Sequence, residues 1–300
     1  MWFLALLILC CIVETIFIFY LFKSRNVSNV LKSRNVVVGS TLLWSEGMHQ
    51  FSKQNNMSSL RHEFFTQPIY NQNGSSCIVN CSDKTFPQDY IPLQVRRVLL
   101  EHQLVYIQNL DRLQLPDTKC KVVALPIGVD FHTVQKHSIW GINRTHWKNQ
   151  ETSLKQLRAS NVEKICKVLV TWTKNNNSSK RHVKNGYKSR PQLWREAMSN
   201  PDVFELGTGN RDHTWKMMSE YAFVYSPIGT GFDCHRTWEA LALGCIVIAQ
   251  PNPTIKEFVD RYPIVLHNDP AKITQQDLLR WLHMYKPAKL KDLTIGTFFK

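Results

Sequence analysis

Ser226-Pro-Ile-Gly-Thr-Gly-Phe-Asp-Cys-His-Arg-Thr-Trp-Glu-Ala-Leu-Ala-Leu-Gly-Cys-Ile-Val-Ile-Ala249 sets the fold class of this chain. The residues just before it, Tyr221 to Tyr225, are apolar and β-prone. Gly229 and Gly231 let the backbone turn sharply, Thr230 to Leu243 carries apolar residues at helical spacing, and Gly244 stops that helix. Cys245 to Ala249 is a short apolar run of the kind a parallel sheet buries. The order is therefore strand, glycine loop, amphipathic helix, buried strand. A glycine loop opening onto a helix puts backbone N–H groups and the positive helix end beside any anionic ligand. Asp233, His235, Arg236 and Glu239 cluster at the same helix start. Arg236 can clamp a phosphate, and Glu239 can accept hydrogen bonds from sugar hydroxyls. His235 has two readings, a diphosphate contact or a helix cap. The plain alternative for Arg236 and Glu239 is a surface ion pair, three residues apart on one helix face. Trp238 is expected in the core.

Working outward, the alternation continues on both sides. Upstream, Val36 to Val38, Ser76 to Asn80, Leu104 to Gln108 and Lys121 to Leu125 read as strands, with Val95 to His102 helical. The stretch between the first two of these is Ser/Asn-rich with little periodicity. From Ser153 a second run of helix (Ser153–Val162), strand (Ile165–Trp172), helix (Pro191–Ser199), strand (Val203–Leu206) and helix (His213–Glu220) leads into the glycine loop. Beyond Ala249, Thr254–Asp260 and Gln275–Met284 read as helices around a strand at Ile264–Leu266. This pattern predicts parallel sheets covered on both faces. The division falls near 145–155, giving α/β lobes at 36–150 and 151–300.

These motifs carry a family likeness. Ser-Pro-x-Gly-x-Gly-x-Asp-x-His-Arg-x-Trp-Glu-Ala-Leu followed by Leu-Gly-Cys-Ile-Val-Ile resembles the C-terminal signature of exostosin-type glycosyltransferases and their relatives. Leu125-Pro-Ile-Gly-Val-Asp-Phe-His-Thr133, Trp140-Gly141 and Gln150-Glu151 resemble a second block in that group. The resemblance implies two facing Rossmann-like (GT-B-like) lobes, a nucleotide-sugar donor such as a UDP-sugar on the C-terminal lobe, and inversion at the anomeric carbon. It also implies a glycan or glycoprotein acceptor and no bound metal. Gly229, Gly231 and the helix start would hold the diphosphate, and Glu239 the ribose hydroxyls. Members of that group usually carry Arg where this chain has Ile228. That departure leaves open a binding protein of the same fold without turnover.

The formal charge is +14, which reads either as a solvated basic surface or as attraction for anions. No nucleic-acid motif accompanies it, so no nucleic-acid partner is expected. From Lys164 to Arg195 the chain has nine Lys/Arg and no Asp or Glu. Lys174 or Arg181 in that run can replace the Arg missing at 228. An inverting transfer needs a base for the acceptor hydroxyl, and Asp130 and His132 are the candidates, against a purely structural turn there. No carboxylate pair identifies itself as a glycosidase dyad.

Trp2 to Phe22 is apolar except for Glu14 and Thr15, long enough to span a bilayer, and followed by a short stem at 23–35. Lys23, Arg25, Lys32 and Arg34 follow it, which by the positive-inside rule would place the body in the cytosol. Seven Asn-x-Ser/Thr sequons, at Asn26, Asn56, Asn73, Asn80, Asn143, Asn176 and Asn177, argue the other way, as does the family likeness. The expectation is a single-pass anchor with the body in the lumen of the Golgi or endoplasmic reticulum. Of eight cysteines, Cys77 and Cys81 are placed to close a small disulfide there, while Cys166 and Cys245 sit in strand-like runs and are expected in the core.

Overall fold

The computed structural model describes residues 41–44, 47–48, 51, 54, 58–61, 76–80, 99–100, 103–110, 115, 117–131, 147–160, 162–176 and 180–299. The expected anchor, stem and first strand, His132, Trp140-Gly141 and Cys81 lie outside these residues. Among the described residues no helix is long and apolar enough to cross a membrane. Gly39–Lys300 form one compact unit.

The first sheet is wholly parallel: β1 (Ser58–Arg61), β2 (Ser76–Asn80), β3 (Leu104–Gln108) and β4 (Lys121–Leu125) lie side by side in chain order. Sequence reading missed β1, because Ser-Ser-Leu-Arg offers neither an apolar run nor a clear alternation. Helix α1 (Trp147–Ala159) leads to the second sheet and starts six residues earlier than expected. Its buried Trp147, Gln150 and Glu151 anchor that added turn. Glu151 Oε1 accepts from the Leu42 N–H at 3.4 Å, and Trp147 packs on Trp44.

The second sheet contains β5 (Ile165–Val170), β6 (Phe204–Leu206), β7 (Tyr221–Ser226), β8 (Ile246–Ala249) and β9 (Ile264–Leu266), all parallel, in the order β6-β5-β7-β8-β9. Crossovers run through α2 (Lys180–Lys184), α3 (Arg190–Met198), α4 (Arg211–Glu220), α5 (His235–Ala242) and α6 (Pro253–Lys256), and α7 (Gln275–Met284) follows the last strand. Their starts follow local chemistry. Ser189 caps α3 with Pro191 in its first turn, Asn210 caps α4, and Thr274 with Asp277 forms a capping box on α7. Every residue of β7 and β8 is buried, as their apolar runs require. Cys245 is in the core as expected, whereas Cys166, near the start of β5, is only half-buried.

The order β6-β5-β7-β8-β9 reverses direction between β5 and β7. At such a switch point the loops at the carboxyl ends of neighbouring strands diverge and leave a crevice, where open α/β sheets bind ligands. The two loops leaving this point are Thr171–Asn176 after β5 and Pro227–Cys234 after β7. The chain end, α8 (Ile295–Phe298), returns to residues near the first sheet: Leu43 N–H donates to Leu293 and Ile295 N–H donates to Thr41. Tyr106 of β3 meets Phe299 edge-on at 4.8 Å.

Candidate functional site

The glycine loop is held in place from every side. Ile228 N–H donates to Gln250 Oε1 at 3.2 Å, and the Ile228 carbonyl accepts from Arg190 Nε at 3.1 Å. His182 Nε2 donates to the Thr230 carbonyl at 3.0 Å while its ring lies on Phe232. Asn109, just past β3 with φ 52, accepts the Asp233 N–H at 2.8 Å. The glycines allow close approach of neighbouring side chains. A Cβ on Gly229 would stand 2.6 Å from Arg190 Nη2, and one on Gly231 would stand 2.7 Å from Asn109 Oδ1.

Helix α5 begins at His235, not at Thr230 as its apolar spacing suggested. Asp233 sets the difference. Its Oδ1 accepts from the Cys234 N–H at 2.8 Å, holding a turn in front of the helix. Both oxygens take the Trp238 indole N–H, and Oδ2 accepts from the Ile127 N–H at 2.9 Å. Asp233 was expected at the ligand. Instead it is buried and its oxygens are occupied by protein donors. Burial pushes its carboxyl up to about 6 despite these hydrogen bonds.

His235 and Glu239 face the same way. His235 Nδ1 donates to the Gly128 carbonyl at 2.8 Å, which fixes it as a tie to the loop after β4 rather than a helix cap. Glu239 Oε1 accepts from the Asp130 N–H at 3.4 Å and lies 3.9 Å from Arg211 Nη1. Asp233, His235 and Glu239 thus grip three points of a single segment, Ile127 to Asp130. That segment is itself constrained: Gly128 has φ 74, and a Cβ there would lie 2.1 Å from the Leu43 carbonyl oxygen. The Asp130 carboxylate, a candidate base, is ion-paired with Arg211 at the start of α4, and Arg211 also donates to the Asp130 carbonyl. Burial alone would lower the Arg211 pKa, but Glu239 and Asp130 outweigh it and hold the guanidinium firmly charged.

Arg236 points to the other side. Its Nε donates to Thr171 Oγ1 in the loop after β5, and its guanidinium lies 5.6 Å from the Trp172 ring centroid. The Trp172 indole N–H donates in turn to the Arg190 carbonyl at 3.2 Å. Arg190 Nη2 approaches Cys234 Sγ at 3.5 Å. Desolvation, and then the neighbouring Arg190 charge, lower Arg236 to about 10. Two guanidiniums therefore stand at the switch point, Arg190 against the glycine loop and Arg236 against the loop after β5. Lys174, the expected stand-in, is exposed beyond Thr171, in a turn where Asn176 Oδ1 accepts from the Thr173 N–H. Nothing is described of the Arg181 side chain. Sequence reading passed over Arg190 and Arg211. Arg190 was one of nine basic residues with only a helix-start signal beside it, and Arg211 had no signal beyond the Asn210 cap.

Among the described residues no group of three or more His, Cys, Asp or Glu side chains could hold a metal ion. A separate shallow cleft of about 420 Å³ lies between α1 and α4, lined by Gln156, Asp212, Trp215 and Lys216 among others.

No protein-family model matches the chain, and no curated protein matches it. Among solved structures, the chain is similar to AviGT4, a glycosyltransferase involved in avilamycin A biosynthesis, with 10% sequence identity, a TM-score of 0.35, and coverage of 74% of this chain and 80% of that one.

Proposed function

We propose that this chain is a glycosyltransferase that takes its sugar from a nucleotide-diphosphate donor, a UDP-sugar being the first candidate, and passes it to a glycan or glycoprotein hydroxyl. The observation that carries the reading is the convergence of Arg236, Arg190 and the Gly229–Gly231 loop at the switch point of the second sheet. Positive charge fixed there favours the diphosphate and stabilises the charge that grows on it as the sugar leaves. The exostosin-like motif around Ser226–Ala249 supports the same assignment, with inversion at the anomeric carbon. Glu239, set by Arg211 and the Asp130 N–H, is the candidate for the ribose hydroxyls, and His132 remains a candidate base beside Asp130. We further propose lobes at 36–150 and 151–300, an anchor at 2–22 and a luminal body in the Golgi or endoplasmic reticulum.

The second reading is a nucleotide-sugar-binding protein without turnover. The ion pairing of the Asp130 carboxylate with Arg211 favours it, because a carboxylate held by a guanidinium is a poor proton acceptor. Calorimetry of the full-length chain against UDP, GDP, CMP and uridine tests the shared part of both readings. A diphosphate nucleotide should bind more tightly than its nucleoside; binding of none of them would overturn the proposal. Transfer or hydrolysis from a panel of UDP-sugars then separates the two. Tight binding with no turnover from any donor would assign the chain to the second.

A further inference from the structure

We infer that Arg190, from the start of α3, is a donor-diphosphate residue that acts beside Arg236; the inference rests on the diphosphate reading above. The geometry is specific. Arg190 Nε donates to the carbonyl of Ile228, the residue that opens the glycine loop. Its Nη2 reaches over Gly229, where a Cβ would stand 2.6 Å from it and displace it, and comes to 3.5 Å from Cys234 Sγ at the cap position of α5. The guanidinium therefore reaches the glycine loop from a different strand-to-helix connection, thirty-eight residues away in sequence. Trp172 couples the two arginines physically: its indole N–H holds the Arg190 carbonyl, and its ring lies against Arg236.

Two like charges beside one loop repel, and an anion lying between them would relieve that repulsion. A guanidinium also offers a fork of N–H donors that matches phosphate oxygens in a way an ammonium does not. The pair is therefore a site for two linked phosphates, with Arg236 and Arg190 on the diphosphate and neither needed for the base. Lys174, exposed in its turn, is left outside it.

The test uses the full-length chain and three probes, UDP, uridine and inorganic pyrophosphate, titrated into wild type and into Arg190→Gln, Arg190→Lys and Lys174→Ala. Arg190→Gln keeps an N–H for the Ile228 carbonyl and removes the charge. It should weaken UDP and pyrophosphate by roughly 10- to 100-fold while leaving uridine within about threefold of wild type. Arg190→Lys should fall between the two, and Lys174→Ala should match wild type. Thermal melting without ligand verifies that each variant is folded. A folded Arg190→Gln with an unchanged ratio of UDP to uridine affinity would overturn the inference, as would an equal loss for Lys174→Ala. If wild type binds pyrophosphate but not UDP, the nucleotide reading fails while Arg190 is still decided by the pyrophosphate arm. If wild type binds neither, both fail.

Discussion

The two sides of α5 do different things with residues from one short motif. On one side Asp233, His235 and Glu239 grip Ile127 to Asp130. On the other, Arg236 turns toward Thr171, Trp172 and Arg190 beside the glycine loop. On the first side Asp233 and Glu239 are buried and paired with backbone N–H groups or Arg211, and His235 is tied to a backbone carbonyl. The second is cationic and half-buried, between the loops after β5 and β7. A polar cluster at a helix start is thus not one site by virtue of its spacing; what each side chain meets across the sheet edge separates binding chemistry from fold maintenance. Variants at Asp233 and His235 should alter stability, and variants on the second side should alter diphosphate affinity.

Asp233→Ala should give the largest effect. It strands the Ile127 N–H, the Cys234 N–H and the Trp238 indole N–H in the interior. At roughly 1–3 kcal/mol for each unsatisfied donor, partly relieved by relaxation, the loss is about 4 kcal/mol in urea unfolding. The folded fraction should retain its preference for UDP over uridine. A loss below about 1 kcal/mol would remove Asp233 from the clasp.

The pH dependence of stability sharpens the same point. The Asp233 carboxyl titrates at about 6 in the fold, above its usual 3.8, so the folded state binds its proton more tightly than the unfolded chain does. The stability this group contributes is therefore fully present below its unfolded pKa and fades as pH rises through about 6, by roughly 3 kcal/mol in all. Replacing it by Asn should flatten that part of the stability–pH curve. A curve of unchanged shape would show that the carboxyl does not titrate there.

Arg211→Leu should cost about 3 kcal/mol, because it leaves Glu239 and Asp130 together without their cation. Its further use is diagnostic. Should Glu239 bind ribose, Arg211→Leu and Glu239→Gln should both weaken uridine as well as UDP. Were Glu239 solely a clasp residue, uridine affinity would not move, and the division between the two sides would be complete.

Arg236→Ala is expected to have the smallest effect on stability, because its partners are a hydroxyl and an aromatic face, and because its removal relieves repulsion with Arg190. Its effect on binding should be selective: about 2 kcal/mol lost for UDP by calorimetry and little for uridine. Equal losses for both ligands would place Arg236 away from the diphosphate.

Much of this arrangement was legible in the amino-acid order, and the failures have physical causes. Strands β7, β8 and β9 and helix α7 fall within a residue of expectation, because each is an apolar or amphipathic run bounded by clear stops such as Gly244, with φ 81, and the Thr274 cap. The start of α5 was misplaced because Phe232 fits the helical spacing, whereas the Asp233 side chain closes a turn that spacing does not report. The short basic helix α2 was missed for lack of an apolar face, and with it His182, which supports the glycine loop. The motif identified Arg236 and Glu239 as neighbours, but which way each faces depends on strand order. Arg190 reaches Ile228 only because β5 and β7 are adjacent, and no local pattern encodes that adjacency.

The most direct test is a crystal structure of the full-length chain with UDP bound. The account predicts the diphosphate at the β5–β7 switch point, within hydrogen-bond reach of Arg236 and Arg190 and against Gly229–Gly231, with the ribose toward Glu239. UDP seated in the α1–α4 cleft beside Trp215, or its diphosphate facing Asp233 and His235, would contradict it.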